Sequence, residues 1–129
     1  MGPTREAASF KVINDTHGHV VGDDVLRAIA DRIRDAIRPG DVLSRYGDEE
    51  FAVLLPDTDD ATAYAIGERL RRHIAEQPVP ALQGDLWVTI SVGIACRSQV
   101  GTSLDALLQR ADRALYAAKD QGRNRVVSG

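Results

Sequence analysis

Two short apolar runs, Val42 to Tyr46 and Phe51 to Leu55, stand on either side of the tetrad Gly47-Asp48-Glu49-Glu50. That spacing specifies a β-hairpin: the charged tetrad stays in water while the flanks leave it. A hairpin needs a sheet to join and helices to cover it. Both are readable. Before it, Val25, Leu26, Ile29, Ile33, Ala36 and Ile37 recur at three and four as one stripe of a helix, begun near Gly22 and Asp23 and ended by Pro39 and Gly40. After it, Asp59 or Asp60 caps a second helix with the face Ala61, Ala65, Ile66, Leu70 and Ile74. The stretch from Gln77 to Gly84 reads as a loop. The period then changes to two, with Val88, Ile90, Val92 and Ile94 alternating with Thr89, Ser91 and Gly93 as in a half-buried strand. Ser103 introduces a third helix through Leu104, Leu107, Leu108, Ala111, Leu115 and Ala118, closed by Gly122 before a short Val126-Val127 strand. This order predicts an α+β fold with helices packed on a mainly antiparallel sheet.

Composition narrows the function. A chain of 129 residues, 43% of them hydrophobic, supports one core and one domain. Charged residues make up 27% with both signs interspersed, and the net charge is -3, which argues against a nucleic-acid polymer as partner. The single cysteine, Cys96, has no second thiol for a disulfide or zinc site, so a reducing cytoplasm is the expected compartment. The apolar stretches are too short to cross a bilayer, and no direct membrane contact is expected.

By itself the tetrad is an acidic turn. In context, Leu43-Ser44-Arg45-Tyr46-Gly47-Asp48-Glu49-Glu50-Phe51-Ala52-Val53 resembles the signature hairpin of GGDEF-type diguanylate cyclases, a bacterial family. Four more segments are similar to that family in the same order. They are Phe10-Lys11-Val12-Ile13-Asn14-Asp15 with Gly18-His19 and Gly22-Asp23, then Leu55-Pro56-Asp57-Thr58, then Thr89 to Ala95, and last Ala111-Asp112 through Leu115-Tyr116 and Ala118-Lys119 to Gly122-Arg123-Asn124.

The resemblance implies a nucleotide-cyclase and polymerase-palm-like architecture with a ferredoxin-like core. It also implies chemistry in which the 3′-hydroxyl of one GTP attacks the α-phosphate of another, giving cyclic di-GMP and pyrophosphate. Carried over residue by residue, Gly47, Asp48, Glu49, Glu50 and Lys11 form the catalytic set. Asn14 and Asp23 recognise guanine, while Lys119 and Arg123 contact the phosphates. Mg2+ or Mn2+ is implied if the chain is active, held by Glu49, Glu6 and the Ala7 carbonyl. The partners implied are GTP, cyclic di-GMP, and a second copy of the chain or a sensory domain fused to it.

Two departures stand against catalysis. Asp48 replaces the second glycine of the signature, adding a Cβ to the turn and a negative charge beside a polyanion. Glu6 and Ala8 stand where the family carries an aspartate-x-aspartate pair, and Met1 to Arg5 makes a poor central strand. The expectation is therefore a single GGDEF domain over residues 1–129 lacking the usual N-terminal helix and much of the first strand, with a sheet edge exposed.

Arg38-Pro39-Gly40-Asp41 is, in isolation, an ordinary helix-ending turn. Placed just before the hairpin, it is similar to the Arg-x-x-Asp motif with which family members bind their own product. Arg38 would pair with phosphate, Asp41 would accept from a guanine edge, and Arg69 on the second helix would help. His17-Gly18-His19 and His73 are read as structural, and Trp87 as a strand-edge packing residue. Three functions remain open: an impaired domain that binds cyclic di-GMP, an active cyclase, and a structural dimerisation module.

Overall fold

The computed structural model describes residues 6–16, 22–81, 84–97 and 101–129. The elements run β1 (Ala7–Asn14), α1 (Asp23–Ala36), β2 (Val42–Arg45), β3 (Glu50–Pro56), α2 (Asp60–Glu76), β4 (Val79–Ala81), β5 (Gly84–Leu86), β6 (Ile90–Arg97), α3 (Leu104–Asp120) and β7 (Val126–Ser128). Five strands form one sheet in the order β2-β3-β1-β6-β7, antiparallel except for the parallel β6–β7 pair. The α+β expectation holds. The His17-Gly18-His19 segment lies outside the described residues.

Among the described residues the N-terminal strand leaves no edge open, because β1 is the central strand and pairs along its length with β3 and with β6. The edges are β2 and β7. Ala8, Phe10 and Val12 are wholly buried, and Ser9 and Lys11 on the other face are buried too. A strand covered on both faces shows no clean alternation, and here Lys11 and Asn14 hide it further.

Each face of the sheet takes different helices. Ala8, Phe10, Val12, Val92 and Ile94 join the buried stripes of α1 and α2 in the main core. Each large apolar side chain buried there stabilises the fold by about 1.5–3 kcal/mol. Gly67 of α2 lies against Ile94, Val92 and Val126. On the opposite face a Cβ at Gly93 would sit 2.1 Å from the Leu115 nitrogen and 2.3 Å from the Ala111 oxygen, so α3 rests directly on β6 and only glycine fits. That contact fixes where the end of α3 and its following turn emerge.

Local signals set the helix ends. The Asp59 side chain caps α2 by accepting from Thr62 N at 2.7 Å, and Ser103 Oγ caps α3 by accepting from Ala106 N at 3.1 Å. Gly22 starts α1 without a side-chain cap. The buried face of α2 is Ala63, Gly67, Leu70 and Ile74; Ala61 and Ala65 are exposed, since alanine marks a helical stripe poorly. Leu104 and Trp87 are also exposed. The segment read as a loop carries the two-stranded β4–β5 ribbon, anchored by buried Val79 and by Arg32 of α1, which donates to the Ile74, Gln77 and Pro78 carbonyls. Among the described residues no helix is long and apolar enough to cross a membrane.

Candidate nucleotide-binding site

The end of β1 and the hairpin turn meet. Ile13 pairs with Glu50, and Asn14 N donates to Glu49 O at 3.1 Å. Tyr46 N and Gly47 N close the turn on Glu50 O at 2.8 and 3.2 Å. Arg45 folds over it, donating from Nε to Gly47 O at 3.2 Å and from Nη2 to Asp48 O at 2.7 Å. The tetrad is thus the tip of a two-stranded ribbon. The non-glycine residues with positive φ are Asp57, Arg123 and Asn124, so the backbone conflict expected at Asp48 does not arise. Its charge remains.

Lys11 is 6% exposed. Its Nζ lies 3.4 Å from both Glu50 Oε1 and Asp112 Oδ1, and 4.2 Å above the Tyr46 ring. A cation expected to face phosphates is therefore committed inside the protein, tying the tip to α3.

Asn14 differs. It is 3% exposed, its Oδ1 accepts from Thr16 N at 3.0 Å, and its Nδ2 is buried with no acceptor among the described residues. Leaving such a donor unmade costs about 1–3 kcal/mol. Asp23, exposed in the first turn of α1, lines a groove of about 430 Å³ between that helix and the hairpin, with Leu26, Leu43 and Phe51 beside Arg27 and Arg45. The lining is mixed, with apolar Leu26, Leu43 and Phe51 among charged Asp23, Arg27, Arg34 and Arg45.

Lys119 lies in the last turn of α3 and Arg123 in the turn that follows. Arg123 sits close to a residue the sequence reading passed over. Asp15, 8% exposed, accepts from Ser91 Oγ at 2.8 Å and from Asn124 N at 3.0 Å, with Arg123 Nε 3.9 Å away. The available signal was an acid following Asn14 together with Ser91 on the same side of the alternating strand.

The metal set does not assemble. Glu6 precedes β1 and is exposed, whereas Glu49 lies beside Asn14 at the other end of that strand. Eight residues of extended chain separate the two ends by about 23 Å, at ~3.3 Å per residue. Carboxylates sharing a cation place oxygens within about 2–2.6 Å of it, and this structure does not bring Glu6 and the Ala7 carbonyl together with Glu49: Phe10 to Asn14 belongs to the strand, which carries residue 6 away from the tip. Of the other acids there, Glu50 is paired with Lys11 and Asp15 with its own donors. Among the described residues no group of three His, Cys, Asp or Glu is placed to hold a metal.

At the opposite end of β2, Arg38-Pro39-Gly40-Asp41 forms a tight corner with Gly40 at φ 97°. Asp41 Oδ2 accepts from Arg38 N at 2.8 Å, and Asp41 N donates back to Arg38 O at 3.0 Å. The carboxylate expected to face a guanine is turned inward, its side chain 2% exposed. The Arg38 side chain is 55% exposed; it donates from Nη2 to Pro56 O at 3.2 Å and Thr58 Oγ1 at 2.7 Å, and its Nε lies 3.7 Å from Asp41 Oδ2. Arg69 Nη2 donates to Ala36 O at 2.9 Å, which brings it to the same corner.

A mainly antiparallel sheet flanked by helices, with a carboxylate-tipped hairpin, a buried unpartnered amide at Asn14 and a cationic helix end, defines a domain of the cyclase-palm-like class. Residues 6–125 match the family model "Diguanylate cyclase, GGDEF domain", and the chain belongs to that family. It is 48% identical over 120 residues to the response regulator PleD of Caulobacter vibrioides, covering 92% of this chain and 26% of that protein. It is 42% identical to diguanylate cyclase A of Treponema denticola, covering 92% of this chain and 32% of that one. The chain thus spans about a quarter to a third of these relatives. Among solved structures, the GGDEF domain of DgcB from Caulobacter crescentus in complex with c-di-GMP superposes with a TM-score of 0.86 at 32% identity, covering 96% of this chain and 78% of that one. The active GGEEF domain of a diguanylate cyclase from Vibrio cholerae superposes at 0.85 with 28% identity, covering 95% and 82%.

Proposed function

We propose that this chain is a guanine-nucleotide module of cyclic di-GMP signalling, impaired in catalysis, that binds cyclic di-GMP through Arg38 and Arg69 on a corner shaped by Asp41. The observation carrying this reading is the state of Arg38. Its side chain is more than half exposed; the guanidinium donates to a neutral carbonyl and a neutral hydroxyl, and its Nε lies 3.7 Å from Asp41 Oδ2 in a loose ion pair. A phosphate offers it a charge-assisted, two-pronged replacement worth about 1.5–3 kcal/mol per bond against ~0.5–1.5 for what it gives up. Asp41 contributes by closing the backbone turn; facing a guanine edge requires it to leave the Arg38 N–H.

At the tip, the unpartnered Asn14 Nδ2 and the Asp23 groove support retention of a guanine site, with Lys119 and Arg123 towards the phosphates. The separation of Glu6 from Glu49 and the internal commitment of Lys11 support the loss of turnover. Calorimetry with cyclic di-GMP tests the proposal. Arg38→Ala is expected to weaken binding by about tenfold or more, the worth of one charge-assisted pair. Equal affinity in both proteins rejects it.

One observation favours an active cyclase instead: the turn accommodates Asp48 without a left-handed backbone. Such a reaction joins two GTP molecules held by two copies of the domain. Incubation with GTP and magnesium followed by nucleotide chromatography separates the readings, and rapid appearance of cyclic di-GMP decides for the cyclase.

A further inference from the structure

Asp15 is a buried carboxylate with no role in the site described so far. Both of its oxygens lie 2.8 Å from Ser91 Oγ; Oδ2 also accepts from Thr89 Oγ1 at 3.3 Å and Asn124 N at 3.0 Å. These donors belong to β6, to the residue preceding it and to the turn after α3. That turn holds two successive non-glycine residues in the left-handed region, Arg123 at φ 65° and Asn124 at φ 49°. Chains leave such conformations unless their surroundings impose them.

The imposition comes from two sides. Asp15 holds the Asn124 N–H, helped by Ser91 Oγ at 3.2 Å, while Arg71 Nη1 of α2 donates to Asn124 Oδ1 at 3.1 Å. Arg71 is itself fixed by Glu68. Asp15 thus serves as an internal anion for the Asn124 N–H and the Ser91 and Thr89 hydroxyls, and lies 3.9 Å from the neighbouring guanidinium at Arg123 Nε. That distance is long for a committed ion pair and leaves Arg123, 41% exposed in its side chain, able to meet a second anion.

We infer that Asp15 is a positioning residue that sets Arg123 for the terminal phosphates of a nucleoside triphosphate, and so supplies the site's preference for triphosphate over monophosphate. Asn14 adjoins Asp15 in the chain, so GMP affinity reports whether the proposed guanine contacts at Asn14 and Asp23 are disturbed along with the clamp, while the Arg38 corner at the other end of β2 lies apart from it. The inference rests on the proposed reading of Arg123 as a phosphate-facing cation.

The test uses Asp15→Asn, which keeps the shape and places an amide donor among existing donors. Amide exchange at Asn124, followed by NMR, is expected to quicken at least about tenfold as the clamp opens. In calorimetry GTP binding weakens about tenfold while GMP and cyclic di-GMP stay within about twofold. Arg123→Ala gives the same selective loss, and the double variant loses no more than either single one. Ser91→Ala, which keeps the carboxylate and removes one donor, moves both readouts the same way by less, and serves if Asp15→Asn does not fold. Unchanged Asn124 exchange in Asp15→Asn overturns the clamp. An equal loss for GTP, GMP and cyclic di-GMP overturns positioning in favour of a general structural role. Faster exchange together with full GTP affinity in Arg123→Ala removes the phosphate role and the reading beneath it.

Discussion

The two ends of β2 carry similar residue types and use them in opposite ways. At the tip, Lys11 is buried between two carboxylates and an aromatic ring, and Asp15 is surrounded by its own donors. At the Arg38 corner the roles are reversed: the acid's side chain is buried against the Arg38 backbone N–H, and the cation, paired loosely with that acid at 3.7 Å, keeps more than half of its side chain in water. A ligand arriving at the corner displaces two neutral hydrogen bonds and a long 3.7 Å pairing with Asp41, whereas one seeking Lys11 must draw a buried ammonium away from both Glu50 and Asp112. The lesson is that a cation's partners, more than its presence in a motif, decide whether it serves a ligand or the fold. Arg38→Ala, already set out, is expected to change binding and leave stability nearly untouched.

The largest effect expected is on stability, from Lys11→Met. Removing one partner of a buried ion pair costs about 3–5 kcal/mol, but Glu50 and Asp112 keep 26% and 59% of their side chains exposed, so roughly 2 kcal/mol is the expected loss. Denaturant unfolding measures it. A variant as stable as the parent, yet weaker towards GTP, breaks the contrast and returns Lys11 to the ligand.

A smaller change follows at the turn itself. The backbone at residue 48 accepts aspartate, so what Asp48→Gly removes is charge. The repulsion relieved beside a phosphate chain is about 1 kcal/mol at an exposed site, and GTP is expected to bind about fivefold more tightly in calorimetry. Turnover is not expected to return, since the distance between Glu6 and Glu49 is untouched. If turnover does return, the tip is a working site held back by one charge.

Much of this was legible in the sequence. The hairpin, the three helices and the late strand follow from turn chemistry and period, and the corner's place at the start of β2 follows from order along the chain. The departures share one cause. Periodicity does not mark a strand covered on both faces, so the central place of the run from Ala7 to Asn14 is hidden in the sequence, and with it the distance that the strand puts between Glu6 and Ala7 at one end and Glu49 at the other. Partners are similarly invisible: nothing local distinguishes Lys11, buried between two carboxylates, from Arg38, more than half exposed and paired at 3.7 Å with one. Asp15 was missed because its donors come from residues 74 to 109 positions away.

The smallest expected effect concerns the loop on which Arg38 rests. Thr58, its hydroxyl partner, directly precedes Asp59, whose carboxylate caps α2. Hydrogen bonds from Thr62, first from its side chain and then from its backbone, hold the Asp59 carboxyl below the ordinary aspartate range. Because the folded value is lowered, the cap's contribution is fully present above the unfolded value and is lost as pH falls through the folded one. Asp59→Asn keeps an acceptor at the cap but cannot titrate. Its melting temperature should therefore fall less than the parent's between neutral pH and the acid side of the carboxylate range. If the corner depends on this loop for shape alone, cyclic di-GMP affinity at neutral pH is the same in both proteins. A variant that loses affinity without losing stability makes the cap part of the ligand's surface, and the corner is then no more separable from the fold than the tip is.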